Sequence, residues 1–451
     1  MQYITILDYV LLPITLALVY ALAYRTRNKK YPHGHPWRPY FIPGLTVKIF
    51  GAIFIGLIYQ YYYGGGDTFN YFRFGQVINS SFSDSIIKWI NLLLHIPGYY
   101  DAGYYEYTSR IPWYNATSNY TICSISAFIS LFTFGTYLPA TVIFAYISFS
   151  GIWAMFRTFA SLYPKLLQPI AVAILFIPST FVWGSGIFKD TVCMFGLGWL
   201  TYASCRFLIQ KDFSLKNVLI ASASLILIAK IKVYILLGFI PALVMWILFV
   251  YTQKIRSYAL KLTLKISIIV IVLGGSTFFL GSLGEEYLGR YSLENIENTA
   301  EGTRRWITYS SGDEGSSYSL GDFTPTTAGM LAKFPLAVNV TLFRPYLWES
   351  GKAIVLLSAL EASLFLLLTL RVMLIVGLKR SWTTISKNPT IQFCLTFSII
   401  FAFAVGVTSY NFGALSRYKI PALPFYALAM ILIYYQSGIA RSKPLFRFLG
   451  I

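Results

Sequence analysis

The chain has 451 residues, of which 56% are hydrophobic and only 12% are charged, whereas a soluble domain carries about 25% charged residues. This composition excludes an ordinary soluble globular protein and predicts an integral membrane protein, because apolar stretches close to the roughly 20 residues that cross a bilayer recur along the whole chain. The formal net charge of +19, from 36 Lys and Arg against 17 Asp and Glu, fits either nucleic-acid or membrane binding, so the positions of the charges must decide.

Apolar segments separated by charged breaks predict an all-α polytopic protein with about eleven transmembrane helices and helical outer loops. We expect the first segment to be a retained span, because it lacks the basic region and the cleavage site of a signal peptide. A further apolar segment, residues 121–136, is short and is expected at the membrane interface or as a re-entrant segment. The predicted spans are residues 4–24, 43–63, 138–157, 166–184, 190–209, 216–235, 236–252, 266–283, 353–377, 391–409 and 419–437.

The positive-inside rule predicts the topology, since Lys and Arg in short loops stay in the cytoplasm. With the N-terminus outside and the C-terminus inside, the inner loops contain 20 Lys and Arg residues but a single acidic residue, Asp212. Fifteen of the 17 acidic residues then lie in outer segments or, as for Asp8 and Asp190, at the outer ends of spans. Membrane topology therefore explains the basic excess, and we expect membrane lipids but no nucleic acid as partners.

The spans and loops predict four regions of the chain. Residues 1–42 form an added N-terminal transmembrane helix and a basic cytoplasmic loop, and residues 43–283 form a transmembrane core with a first large outer loop at 64–137. Residues 284–352 form a second large outer loop, and residues 353–451 contain the C-terminal transmembrane helices. Loops held by a rigid scaffold commonly carry function, so we expect the chemistry in the two long outer loops.

The first candidate site directly follows the second predicted span, in the run Gly64-Gly65-Gly66-Asp67-Thr68-Phe69-Asn70-Tyr71. Three glycines allow the backbone to turn tightly and to approach a ligand closely. Asp67 would lie at the water boundary, where a carboxylate can accept the proton of an incoming hydroxyl as a general base. The alternative is a Gly-rich turn in which Asp67 caps the following helix.

The remainder of the first outer loop is rich in Tyr and Trp and contains an amphipathic stretch from Ser83 to Ile96. Aromatic side chains anchor membrane proteins at headgroup depth, and they also stack on sugar rings. We favour the anchoring role for most of these side chains. Sugar stacking is an additional hypothesis for Tyr71 and its aromatic neighbours.

Lys189 and Asp190 end an outer run that begins at Pro178, where one predicted span ends and the next begins. The ammonium group of Lys189 can hold a phosphate as a point charge. A helix cap formed by Asp190 beside a snorkelling lysine explains the same pattern equally well.

Two later outer segments also carry cations. Arg344 offers a planar guanidinium suited to phosphate, and Glu349 supplies a second outer carboxylate. A local ion pair between these two residues is the alternative. Arg417 precedes Tyr418 and Lys419 at the outer mouth of the last span, against the topological trend. Cations on that side favour an anionic ligand, with contact to lipid headgroups as the alternative.

Three charged residues, Lys230, Lys232 and Glu361, fall inside or at the ends of predicted spans, where charges are usually paired or functional. The two lysines can also reach the interface by snorkelling. The four cysteines have no paired spacing, and the three histidines have no metal-ligand spacing. We therefore expect neither a metal site nor a cofactor.

Taken together, these segments resemble the integral-membrane glycosyltransferases of the GT-C type and the related bacterial polysaccharide polymerases. In those families an acidic residue in the first large outer loop follows a span, as in the run Gly66-Asp67-Thr68-Phe69-Asn70-Tyr71. This match implies that Asp67 is the catalytic base. The runs Pro178–Asp190, Phe343–Glu349 and Arg417–Pro421 look like segments of exopolysaccharide-cluster members of the same group.

The resemblance extends from about residue 43 to the end of the chain and departs from the common pattern in two respects. The acidic loop follows the second span and not the first, which implies an added N-terminal helix. A second acidic residue beside Asp67, which holds a metal in some relatives, is absent.

The resemblance implies sugar transfer from a polyprenyl-phosphate or polyprenyl-diphosphate donor to a glycan or another hydroxyl acceptor. The reaction would take place at the outer face of a bacterial cytoplasmic (inner) membrane. Positive charge stabilises a departing phosphate, and the candidates for this role are Lys189, Arg344 and Arg417. The candidate substrate-binding residues are Tyr71, Asp190, Glu349 and Tyr418.

Two other classes of protein stay open at this point. A transporter or flippase of a lipid-linked saccharide or another anionic solute would also have many spans and intramembrane charges. Transporters commonly consist of paired halves with matching broken helices, a pattern that the sequence does not display. A non-enzymatic assembly subunit would not require outer cations beside carboxylates.

Overall fold

The computed structural model describes residues 3–257, 259–271, 302, 305, 317–321 and 327–439. Within these ranges the secondary structure is helical, apart from one isolated bridge between Ser317 and Asn411, which confirms the predicted all-α class for this part of the chain. The first helices are α1 (Ile6–Lys30), α2 (Arg38–Tyr61), α3 (Asp67–Ser80), α4 (Ile86–Leu93), α5 (Tyr105–Thr108), α6 (Thr117–Leu131), α7 (Tyr137–Leu162), α8 (Leu167–Leu175), α9 (Pro178–Trp183) and α10 (Lys189–Ser204).

The later helices begin with α11, the longest helix of the described residues, and include several short ones. They are α11 (Leu215–Thr252), α12 (259–271), α13 (Thr327–Ala332), α14 (Phe334–Phe343), α15 (Ala353–Val376), α16 (Leu378–Lys387), α17 (Pro389–Ser409), α18 (Phe412–Tyr418) and α19 (Leu423–Gln436). Residues 272–283 of predicted span 266–283, and about half of the second outer loop, lie outside the described residues.

Seven helices of the described residues are long and apolar enough to cross a membrane, and a bent pair, α18 and α19, would make an eighth. Several of them expose large apolar side chains along one face, as helix α1 does with Val10, Ile14, Leu18 and Leu22. Such a face suits contact with lipid chains, since a soluble protein rarely exposes apolar patches of this size. These helices indicate an integral membrane protein, while the number of crossings and their direction stay predictions.

The helices depart from the predicted spans where the backbone is interrupted. Predicted span 166–184 consists of two short helices, α8 and α9, because proline at position 178 has no N–H for a helical hydrogen bond. Predicted span 419–437 falls on α19, which meets the preceding helix α18 at 68° across a break of four residues or fewer. Predicted spans 216–235 and 236–252 correspond to α11, which is interrupted at Lys232, where φ is −146° and ψ is 75°.

The chain divides into two compact units. Unit 1 contains Met1–Leu167, Thr180–Cys205 and Phe213–Lys232, and unit 2 contains Gln168–Ser179, Arg206–Asp212 and Val233–Ile451. This division cuts across the predicted transmembrane core, whose residues belong to both units.

In unit 1, helix α7 packs against α1, α2 and α10. Helices α7 and α10 approach most closely at two glycines, since a Cβ atom built on Gly198 would lie 2.0 Å from the carbonyl oxygen of Gly151. Small residues allow this distance between membrane helices. In unit 2, α17 packs against α14 and α19 in the same way, and a Cβ atom on Gly406 would lie 2.2 Å from the Ala337 carbonyl oxygen.

Candidate functional site

Asp67 is the first residue of α3 and directly follows the three glycines, whose φ angles are +68°, +149° and +136°. A Cβ atom makes these φ angles energetically unfavourable, so glycine is the residue that adopts them at little conformational cost. Gly66 also lies against a ring, since a Cβ atom on it would be 2.5 Å from Tyr59 Cε1. Gly66 is the helix cap, and Asp67 occupies the first turn, where the helix dipole stabilises a negative charge. The Asp67 side chain is half-buried.

Helix α3 runs parallel to α6. Tyr71, one turn after Asp67, donates a hydrogen bond to Asn119 Oδ1 at 3.0 Å, and Asn79 Nδ2, two turns further on, donates to the Ala127 carbonyl oxygen at 2.9 Å. The first turns of both helices therefore lie side by side. Tyr71 is only 2% exposed, so it joins the two helices, and stacking on a sugar would require its ring to move.

Lys189 brings a third helix to the same place. It is the first residue of α10, and its ammonium group donates to Ser118 Oγ at 3.0 Å. The preceding residue, Phe188, packs its ring against Tyr59 with centroids 5.6 Å apart, and Tyr59 in turn contacts Gly66. We call this meeting of the first turns of α3, α6 and α10 the three-helix junction.

The three-helix junction lies entirely within unit 1 and collects three of the predicted site residues. Asp67 supplies a carboxylate, Tyr71 a phenol and Lys189 an ammonium group. The amino ends of three helices of 14, 15 and 16 residues meet there, and such ends favour anions. The junction therefore combines a proton acceptor with groups that suit a phosphate.

Asp190 points away from this chemistry and into a buried ion pair. Its Oδ1 atom lies 2.5 Å from Lys232 Nζ, and the side chains of Asp190 and Lys232 are 1% and 8% exposed. Lys232 is the residue that interrupts α11, whereas Lys230 is exposed. Snorkelling thus does not describe Lys232, and the contact of Asp190 with substrate stays a prediction.

Lys48 is a second buried cation, and it is not among the residues predicted from the sequence. Its ammonium group, in the middle of α2, donates to the Gly184 carbonyl oxygen, and the residue is 1% exposed. Ser148 donates to the same oxygen at 3.0 Å. These bonds fix the non-helical segment that leads to Lys189. The sequence does indicate Lys48 as a candidate, because a lysine inside the apolar run 43–63 is an intramembrane charge.

Arg344 and Glu349 form the local ion pair that was the alternative to phosphate binding. Arg344 Nε lies 3.1 and 3.0 Å from the two carboxylate oxygens, and Nη2 donates to Oε1. The backbone N–H of Tyr346 donates to the same carboxylate at 2.8 Å. Burial raises the pKa of Glu349, but the bonds from Arg344 and Tyr346 outweigh it and hold this pKa below its ordinary value.

The remaining predicted residues, Arg417 and Tyr418, end helix α18 and are half-buried. The next residue, Lys419, is buried, and its Nζ atom lies 3.4 Å from the Arg344 carbonyl oxygen. The eight predicted site residues are thus divided equally. Unit 1 holds Asp67, Tyr71, Lys189 and Asp190, and unit 2 holds Arg344, Glu349, Arg417 and Tyr418.

The described residues contain no cluster of metal ligands, and comparisons with known proteins give no indication of the reaction. Within the described ranges, no group of three or more His, Cys, Asp or Glu side chains could hold a metal ion, and the four cysteines are buried. The chain matches no protein-family model, no curated protein and no solved structure.

Proposed function

We propose that the protein is a membrane glycosyltransferase or polysaccharide polymerase that takes sugar from a polyprenyl-(di)phosphate-linked donor. The acceptor is a glycan or another hydroxyl compound, and the reaction takes place at the extracytoplasmic face of a bacterial cytoplasmic membrane. The observation that supports this proposal is the three-helix junction, where the Asp67 carboxylate and the Lys189 ammonium group belong to the first turns of two helices that both pack against α6.

The proposed mechanism is a displacement at the anomeric carbon. Asp67 removes the proton of the acceptor hydroxyl as its oxygen forms the new glycosidic bond. The bond between the anomeric carbon and the phosphate oxygen breaks, and the lipid phosphate leaves with the electron pair. Lys189 and the helix amino ends are suited to stabilise the charge that develops on this phosphate.

The two candidate cations of unit 2 differ in how available they are to bind a phosphate. Arg344 is engaged by Glu349 through two nitrogens, so a phosphate would have to compete with that carboxylate. Arg417 is half-buried and stays a candidate on sequence grounds. Lys189 is therefore the cation on which the proposal depends.

The test is sugar transfer by Asp67→Asn. Purified protein in vesicles is incubated with radiolabelled polyprenyl-phosphate and polyprenyl-diphosphate hexoses and with an oligosaccharide acceptor. Loss of a general base lowers rates by about 10²- to 10⁴-fold, so we expect at least a hundredfold loss of labelled product. Glu106→Gln is the matched control, because Glu106 is an exposed acid of the same loop. Equal product from wild type and Asp67→Asn would refute the catalytic role.

A transporter or flippase is the second candidate, and one observation favours it. The buried pair of Asp190 and Lys232 lies where α11 is interrupted, and intramembrane charges at broken helices are typical of transport pathways. Flux of a fluorescent polyprenyl-phosphate across vesicle membranes, without any sugar transfer, would favour this candidate over the enzyme.

A further inference from the structure

Helix α4 presents an apolar face that no described residue of unit 1 covers. The helix lies inside the amphipathic stretch predicted for Ser83–Ile96. Ile86, Ile87, Ile90 and Leu94, all on one side, are between 42% and 66% exposed. Large apolar side chains at such exposure mark a surface that contacts a partner or a membrane.

A second apolar group lies where α6 ends and the chain turns toward α7. Phe128, Phe132 and Phe134 are 51%, 67% and 79% exposed. Phe134 precedes Tyr137, the first residue of a membrane-spanning helix, by only three positions. Three residues of extended chain reach at most about 10 Å, so the Phe134 ring must lie close to the level at which α7 enters the bilayer.

Hydrogen bonds join the two groups into one surface. The indole Nε1 of Trp89, on the buried side of α4, donates to Asn79 Oδ1 at 2.9 Å. The amide nitrogen of Asn79 donates to the Ala127 carbonyl oxygen and to Ser130 Oγ on α6, at 2.9 and 2.8 Å. On the α4 side, the ring of Phe82 packs against that of Trp89, with centroids 5.5 Å apart. The exposed faces of α4 and of the α6–α7 turn are therefore held in a fixed relation.

The charges beside this surface suit a membrane interface. Lys88 and Asp84 pair with each other at 3.5 Å, and neither belongs to the exposed apolar set of α4, so this face is apolar. A short amphipathic helix of this kind, next to the start of a span, is the arrangement that lies in the plane of a bilayer. The adjoining span decides the occupant, because it brings the outer leaflet to the level of Phe134.

We propose that α4 and the α6–α7 turn form a membrane-interface surface that inserts into the outer leaflet of the bilayer crossed by α7. The apolar face of α4 contacts the upper acyl chains, and Lys88 and Asp84 stay among the headgroups. This inference does not depend on the proposed function.

Spin labels measure the depth of this surface directly. Cysteines replace Ile87, Ile90 or Phe132 in the full chain, in which the four native cysteines are changed to serine or alanine. Each protein is labelled with a nitroxide and reconstituted in phosphatidylethanolamine and phosphatidylglycerol vesicles. Collisions with oxygen report lipid, and collisions with a water-soluble nickel chelate report solvent. Ile14→Cys on helix α1, which is 56% exposed, is the lipid control, and Ser83→Cys, also exposed, is the solvent control.

We expect labels at the three test positions to behave like the Ile14→Cys label, with collisions with the nickel chelate several-fold rarer than at Ser83→Cys. Collision rates equal to those of Ser83→Cys would overturn the proposal. Spin–spin broadening that disappears when labelled protein is diluted with unlabelled protein would overturn it too, because it would show that a second copy covers the surface.

The unaltered protein provides a second measurement that does not depend on the folding of cysteine variants. In vesicles that contain a phospholipid with a diazirine near the headgroup, illumination should attach lipid to peptides that include residues 86–94 and 128–134. Mass spectrometry locates the adducts. Labelling of spans without labelling of these peptides would contradict the proposal.

Discussion

The two units differ in how they hold opposite charges. In unit 1, Asp190 and Lys232 are 42 positions apart in the chain and pair with side chains that are 1% and 8% exposed. In unit 2, Arg344 and Glu349 are five positions apart and pair with side chains that are each 20% exposed. A buried pair holds distant segments of the chain together, because an unpaired charge is costly in a buried, apolar environment. A partly exposed local pair orders one loop, and a ligand can compete for its charges.

Breaking the buried pair should have the largest effect on stability. Lys232→Met removes the cation from a buried ion pair and leaves the Asp190 carboxylate without this counter-charge, so we expect the free energy of unfolding to fall by about 3 to 5 kcal/mol. Urea unfolding in mixed micelles, followed by tryptophan fluorescence, measures the change. Lys230→Met is the matched control, since Lys230 is exposed on the same helix and should change little.

A double variant sharpens this comparison. Asp190→Asn combined with Lys232→Met removes both charges, and we expect it to recover most of the loss, because the penalty arises from removing one charge of a buried pair. If the double variant is no more stable than Lys232→Met alone, the ion pair does not account for the effect.

Breaking the half-exposed pair should have a smaller effect that depends on pH. Glu349→Gln loses charge-assisted hydrogen bonds and should lower the free energy of unfolding by about 1 to 3 kcal/mol at pH 7. Because the folded pKa of Glu349 lies below its ordinary value of 4.5, the stabilisation is present above about pH 4.5 and is lost as the pH falls through the folded pKa. Unfolding curves of wild type and Glu349→Gln should therefore converge at low pH. A difference that persists there would indicate a cause other than ionisation.

The exposed ion pair of Lys88 and Asp84 should contribute least to stability. Lys88 and Asp84 are 36% and 46% exposed and lie four positions apart. Solvent screens such pairs, so Lys88→Gln should leave the thermal midpoint of unfolding unchanged. A clear decrease would mean that Lys88 has another role, for example at the proposed membrane-interface surface.

Features that depend on a single segment were predictable from the sequence. The helices at Ile6–Lys30, Tyr137–Leu162 and Ala353–Val376 follow from the length of their apolar runs. The pairing of Arg344 with Glu349 was visible as an alternative, because the two residues are five positions apart. The interruption of predicted span 166–184 could also be predicted from proline at position 178, which lacks a backbone N–H.

Features that join distant segments were not predictable in this way. Nothing in the local pattern connects Lys232 with Asp190, or Lys48 with the Gly184 carbonyl oxygen, because these contacts depend on how whole helices pack. The three-helix junction has the same origin, since Ser118 precedes Lys189 by 71 positions. Sequence reasoning could identify Asp67 and Lys189 as candidates, but only the fold brings their helices together.

Helix α3 connects the three-helix junction with the proposed membrane-interface surface. Asp67 opens it, and Asn79, which binds both Trp89 and α6, lies in its last turn. With 14 residues and a rise of about 1.5 Å per residue, the helix is about 21 Å long. The two proposals together place one end of α3 beside a lipid-inserted surface and the Asp67 carboxylate at the other end. A thinner or thicker bilayer would then tilt α3, so we expect acyl-chain length to change the rate of the proposed sugar transfer without altering any group proposed to react.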